Sequence, residues 1–182
     1  MKRIKLYLLI FLISNFAHAG LTQFGNVMQI VNPTIAGLTS TQEKGMGHFL
    51  IVFAQVEILT QAMKFIGEQT TWQASQRPCC LSNYGGMPSG HTAAAWSGAS
   101  YVRLFSPKYP YLIVPLYATS VATAYSRVQN KQHSSAQVIT AAALTEILTV
   151  INSSLNWSKN YQAQFSLAYT DTSKDIKFAI KF

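Results

Sequence analysis

Acidic residues and cysteines are both scarce in this chain of 182 residues. Six Asp and Glu stand against fourteen Lys and Arg, a formal net charge of +8 at neutral pH. Such a surplus favours an anionic ligand or an anionic membrane surface. It does not point to nucleic acid, because no run of basic residues alternates with aromatics. Charged residues make up only 11% of the chain, whereas about a quarter is usual for a soluble domain. Contact with a membrane therefore stays open. The two cysteines are neighbours, Cys79 and Cys80. Neighbouring cysteines cannot join distant parts of a fold, which excludes a disulfide framework and leaves a reduced pair, a vicinal bridge or a bond between two molecules. A metal centre is not expected either, since no second Cys/His cluster has suitable spacing. Internal repeats and low-complexity tracts are absent.

What is present begins with an export pattern. Lys2, Arg3 and Lys5 form a charged start, residues 6–16 an apolar stretch, and Ala17-His18-Ala19 a small-x-small cleavage site. The apolar run is short for a membrane-spanning helix. Residues 1–19 are therefore expected to be a signal peptide and the remainder periplasmic, either free of the inner membrane or in contact with it. Taking 19 from 182 leaves 163 residues, enough for one domain with a sizeable core. Without the three basic residues of the signal, eleven Lys and Arg remain against six acidic residues, a net +5.

Apolar periodicity and breaker residues divide that remainder into about five helices. They are expected at 25–38 with an interruption near Asn32-Pro33, at 47–65, at 91–105, at 111–125 and at 136–155. Polar connections fall between them, the longest at 69–84. The fold class is then all-α, a helical bundle domain over residues 20–160. In the tail, 161–182, residues alternate in polarity on either side of a turn-rich stretch, which predicts a short C-terminal β-hairpin.

The chemistry concentrates in Met87-Pro88-Ser89-Gly90-His91. Glycines at 85 and 86 suit a tight loop, Pro88 suits a first helical turn, and the Ala-rich run that follows is a good helix former. The N–H groups of Ser89, Gly90 and His91 are expected at a helix N-terminus, where unpaired donors and the helix dipole favour an anion. Arg77-Pro78 lies upstream, and Ser126-Arg127 is followed by His133, six residues beyond the arginine. Two guanidiniums match phosphate oxygens, and two imidazoles can serve as nucleophile and proton donor.

The order Arg-Pro, Pro-Ser-Gly-His, Ser-Arg-(five residues)-His resembles the signature of the type 2 phosphatidic acid phosphatase superfamily, which includes class A acid phosphatases and vanadium haloperoxidases. The resemblance spans about residues 25–155. It implies that His133 attacks phosphorus to form a phosphohistidine, that His91 protonates the leaving oxygen, and that Arg77, Ser89, Gly90 and Arg127 hold the phosphoryl oxygens. Neither a metal nor another cofactor is implied.

Two positions depart from the family pattern. The lysine expected seven residues before Arg77 is Thr70, and the nearest candidate is Lys64, thirteen residues before it. A six-residue insertion within 69–76 would keep Lys64 as a phosphate clamp; otherwise it is a surface lysine at a helix end. The aspartate expected four residues after His133 is Gln137, which can orient an imidazole but adds no charge. If the missing carboxylate limits the rate, Gln137→Asp would raise it. The resulting expectation is an exported, metal-independent phosphatase acting on a phosphorylated membrane lipid or a small phosphoester. The alternatives are a soluble acid phosphatase of broad specificity, a non-catalytic phosphate- or lipid-binding homologue, and a vanadate-dependent oxidase. Oligomeric state is left open.

Overall fold

The computed structural model describes residues 20–155, together with the backbone of two strand stretches, Gln164–Tyr169 and Ile176–Lys181, paired antiparallel. The expected signal at 1–19 lies outside the described residues. So does the expected C-terminal hairpin taken as a unit, its turn included.

Among the described residues five α-helices form the body: α1 Leu21–Ser40, α2 Met46–Thr70, α3 Gly90–Phe105, α4 Ile113–Gln129 and α5 Ser135–Ser154. Short 3-10 turns at Gln73–Ser75 and Pro110–Leu112 lie in two of the connections. The centre is α3, which packs against each of the other four helices. Its sequence explains this position. Ala93, Ala94, Ala95, Ser97, Gly98, Ala99 and Ser100 are all buried, and small side chains let neighbouring backbones approach closely. The larger core residues follow toward its C-terminal end, where Tyr101, Val102 and Phe105 pack with Phe49 and Val52 of α2 and Leu116 of α4.

Three elements extend beyond the bounds expected from sequence. The first helix is not interrupted at Asn32-Pro33; α1 runs through Pro33 unbroken. Buried Asn32 supplies the reason. Its Nδ2 lies 3.1 Å from Ala95 O of α3, 3.2 Å from Leu116 O and 3.0 Å from Ser120 Oγ of α4. Thr119 Oγ1 donates to its Oδ1 at 3.1 Å. Anchored to two helices at once, the segment stays helical despite the missing proline donor. The second helix continues to Thr70, and α4 continues through Ser126 and Arg127.

A polar clasp joins α3, α4 and α5. One Glu146 oxygen accepts from Trp96 Nε1 at 2.8 Å, from Ser100 Oγ at 2.6 Å and from the Tyr117 hydroxyl, while the other pairs with Arg103. The outer faces are apolar by contrast. Ile58, Phe65 and Ile66 of α2 and Ile139, Ile147, Val150 and Ile151 of α5 are exposed. By length and composition these two helices could each cross a membrane.

Candidate active site

The connection between α2 and α3 folds back on itself before entering the helix. Gly86 N–H donates to Ser75 O at 2.8 Å, Met87 N–H to Ser75 Oγ at 3.1 Å, and Arg77 N–H to Asn83 O at 2.8 Å. The Met87–Pro88 peptide is cis, and the helix starts at Gly90 with Ser89 as N-cap. Pro88 therefore sits ahead of the first turn and not within it, as the sequence had suggested. The N-cap residue is also more occupied than expected. Ser89 N–H donates to Gln137 O at 3.2 Å, and its buried hydroxyl accepts from Thr92 Oγ1 at 3.1 Å. The helical ladder begins with Ala93 N–H donating to Ser89 O at 2.9 Å. The N–H groups of residues 90–92 precede it and form the positive end of the helix.

Lys64 reaches this helix start. A Cβ built on Gly90 would lie 2.9 Å from Lys64 Nζ, so the ammonium rests against the glycine and would have to move for a side chain there. Thr70, the position the family spacing pointed to, is exposed at the end of α2 with its hydroxyl donating to Ile66 O at 2.8 Å.

The position of His133 fixes its tautomer. Gln137 Nε2 donates to Ala74 O at 3.0 Å and to Gln76 O at 2.8 Å, which identifies its other amide atom as oxygen. That Oε1 lies 3.1 Å from His133 Nδ1, and Gly86 O lies 2.9 Å from the same nitrogen. Between two acceptors Nδ1 must carry the proton, leaving the Nε2 lone pair free. Gln137 also closes a capping box with Ser134: its Oε1 accepts from Ser134 N–H at 3.2 Å, and Ser134 Oγ accepts from Gln137 N–H at 3.3 Å.

Arg127 is almost fully buried in the last turn of α4. It donates through Nε to Ser126 Oγ at 3.0 Å and through Nη2 to Thr22 O at 2.6 Å. Its Nη1 reaches Gln132 Oε1 at 2.9 Å and Asn26 Oδ1 at 3.0 Å. The same Asn26 oxygen lies 3.1 Å from His91 Nε2. Arg77 Nη2 donates to Gly85 O at 3.3 Å, while its buried Nε has no acceptor.

The electrostatics of the two imidazoles share their causes. Burial is the main cause that holds His91 down at about 4, with the charges of Arg127, Lys64 and Arg77 adding to it. His133 is also held at about 4, by burial first and then by Arg77 and Lys64, against the pull of its bonds to Gln137 and Gly86. Arg77 and Lys64 act on both imidazoles. Among the described residues none of Lys64, Arg77 and Arg127 forms an ion pair with a carboxylate. Three cations, an orphaned guanidinium N–H and a helix N-terminus around two neutral imidazoles are a set of donors short of an anion.

All the residues singled out from sequence, namely Lys64, Arg77, Ser89, Gly90, His91, Arg127 and His133, lie in this cluster. Sequence reasoning missed Asn26, Thr22, Ser75 and Gln132. Ser134 and Gln137 carried a legible signal, the capping-box spacing. Asn26 carried none, since no motif surrounds it and its contacts are far along the chain. Cys79 and Cys80 are exposed and unbridged, and Cys80 pairs with Arg77 in an isolated bridge.

Comparison with known proteins places the family. The sequence model of the PAP2 superfamily matches residues 47–161, more than half the chain. A lipid A 4'-phosphatase of Helicobacter pylori strain J99 is 30% identical over 108 residues, covering 59% of this chain and 50% of that protein. The chain thus spans about half the length of the curated relative it matches. No solved structure matches.

Proposed function

The chain belongs to the PAP2 superfamily, the type 2 phosphatidic acid phosphatases, and from that premise we propose that it is a phosphatase that cleaves phosphomonoesters or pyrophosphates of membrane lipids. The observation that carries the reading is the convergence of Lys64, Arg77 and Arg127, none paired with a carboxylate, around two neutral imidazoles. The name of the Helicobacter pylori relative makes a phosphorylated lipid A-like molecule the first substrate class to try. The apolar outer faces of α2 and α5 favour a lipid over a soluble ester.

In the proposed reaction His133 Nε2 attacks phosphorus and the bond from phosphorus to the leaving oxygen breaks. His91 gives that oxygen a proton. Water then attacks phosphorus, His91 takes its proton, the bond from phosphorus to His133 Nε2 breaks and inorganic phosphate leaves, which returns His133 to its neutral form and His91 to the protonated form of the substrate complex. Lys64, Arg77, Arg127 and the N–H groups at the start of α3 hold the phosphoryl oxygens, and such fixed donors are the main catalytic contribution expected for phosphoryl transfer. A dianion between the three cations also offsets most of their charge at His91. Burial first and then the three cations hold the free imidazole down at about 4; a bound phosphate dianion counters the cations and favours the protonated, acid form of His91. The reaction as written needs no metal. The export pattern of residues 1–19 belongs to the same proposal, with the site facing the periplasm.

The test is phosphate release from lipid A, phosphatidate, a polyprenyl pyrophosphate and soluble phosphoesters, in detergent micelles. His133→Ala is expected to lose activity by roughly 10³-fold or more, and acid quenching of wild type should trap a phosphorylated histidine. Equal release by both proteins removes His133 from the mechanism. Binding of phosphate without turnover would establish a non-catalytic homologue instead.

A further inference from the structure

We propose that Asn26 is a positioning residue for His91: it accepts from Nε2–H and thereby assigns Nδ1 as the nitrogen that protonates the leaving oxygen. The inference rests on the phosphatase reading for its catalytic consequence, but not for its geometry. Asn26 stands in α1, ahead of the stretch 47–161 that the family comparison covers, and nothing in the motifs points to it.

The argument starts from Arg127, which can only donate. Its Nη1 lies 3.0 Å from the Asn26 side-chain atom, so that atom is the oxygen. His91 Nε2 lies 3.1 Å from the same oxygen and must therefore carry a proton. In the neutral imidazole the lone pair is then on Nδ1. When His91 gains a second proton it gains it there, and that is the proton free to leave. The arrangement mirrors His133 with the nitrogens exchanged. Gln137 holds His133 Nδ1–H and frees Nε2 for attack on phosphorus; Asn26 holds His91 Nε2–H and frees Nδ1 for the leaving group. Each imidazole is oriented by a neutral amide, which fixes the tautomer without adding charge.

The first turns of α1 are shaped for this task. Thr22 O accepts from Arg127 Nη2 at 2.6 Å, and a Cβ at Gly25 would lie 2.5 Å from Ser126 Oγ and 2.6 Å from Arg127 Nη2. The helix thus presses its backbone onto the end of α4, which brings Asn26 between the arginine and the imidazole. The charged groups acting on His91 are Lys64 from α2, Arg77 from the α2–α3 connection and Arg127 from α4. All are cationic, and α1 contributes an uncharged acceptor among them.

Two readouts on the full chain in micelles test the proposal. Imidazole ¹⁵N NMR should show neutral His91 as the Nε2–H tautomer in wild type. Asn26→Leu should lose that preference, and Asn26→Asp should raise the His91 midpoint by about one unit or more, because a carboxylate stabilises the imidazolium. In kinetics, Asn26→Leu should lose about 100-fold in kcat on an alkyl phosphate. On 2,4-dinitrophenyl phosphate, whose leaving group needs no proton, it should lose far less. Asn26→Asp should move the alkaline limb of kcat/KM upward, and should no longer do so in a His91→Ala background. A wild-type Nδ1–H tautomer overturns the proposal, as does an equal loss on both substrates. Wild type inactive on every phosphoester would instead overturn the phosphatase reading, and the tautomer measurement would still decide the role of Asn26. If Asn26→Leu fails to fold, the wild-type tautomer and Asn26→Asp carry the test.

Discussion

Gln137 performs tasks that a carboxylate at the same place could not combine. Its Oε1 accepts from His133 and from the Ser134 amide, while its Nε2 donates to the carbonyls of Ala74 and Gln76. The side chain is fully buried, so a charge placed on it would have no water to turn to. Gln137→Glu keeps the shape but sets two lone pairs against two carbonyls. Losing those two donated bonds at a buried side chain costs about 1–3 kcal/mol, and the 74–76 turn that braces Gly86 and Met87 should loosen with them. Thermal unfolding is expected to fall and kcat to drop. From sequence alone the question stayed open: an aspartate at 137 would raise the rate only if the missing carboxylate limits it. The sequence showed which residue was unusual; it could not show that the loop had been rebuilt to use both ends of an amide. An unchanged melting temperature together with faster turnover in Gln137→Glu would refute this account.

At the scale of elements, all five helices were readable, and what was not was the continuity of the one that carries no motif. The Ala-rich run after Pro-Ser-Gly-His, the apolar periodicity of α2 and α5 and the break holding His133 gave α2 through α5 to within a few residues. The first helix was expected to be interrupted because Pro33 lacks a donor, a local rule that a buried Asn32 overrides through partners on α3 and α4. Such partners are non-local, so periodicity cannot report them. The same crossing sets the position of Asn26, and it is tight. A Cβ at Gly98 would lie 2.3 Å from Asn32 C and 2.4 Å from Asn32 O, backbone atoms that no rotamer change can move aside. Gly98→Ala is therefore expected to force α1 away from α3 and destabilise the bundle by about 1–3 kcal/mol, measured by chemical or thermal unfolding. Because α1 also carries Asn26 and Thr22, phosphatase activity should fall in the same variant at temperatures where it remains folded. A variant as stable as wild type would mean that the two helices do not touch there.

For the whole molecule, the order of the helices gathers the site at one end. Asn26, His91 and Gln137 lie in the first two turns of α1, α3 and α5, whereas Lys64 and Arg127 lie in the last two turns of α2 and α4. That end carries Lys64 and Arg127, and the flanks below it carry exposed isoleucine, valine and phenylalanine. At about 1.5 Å per residue, α2 and α5 measure roughly 37 and 30 Å, against a hydrocarbon layer of about 30 Å. A bundle built this way would hold its apolar flanks in the bilayer and its cations at the phosphate level, where a lipid headgroup already lies. That orientation also gives the low charged fraction of the sequence a physical reason. Ile58 on α2 and Ile147 on α5 are both exposed near mid-helix, where a lysine or glutamate facing hydrocarbon costs about 2.5–3.5 kcal/mol. Wild type should stay with the membrane pellet through alkaline carbonate washing, and Ile58→Lys combined with Ile147→Glu should shift it toward the supernatant or prevent insertion. The same double variant assayed on a soluble phosphoester in detergent should retain turnover if it folds, because neither residue belongs to the site. Wild type recovered from the aqueous phase, active on soluble esters and no better on lipids, would favour an acid phosphatase working free of the membrane.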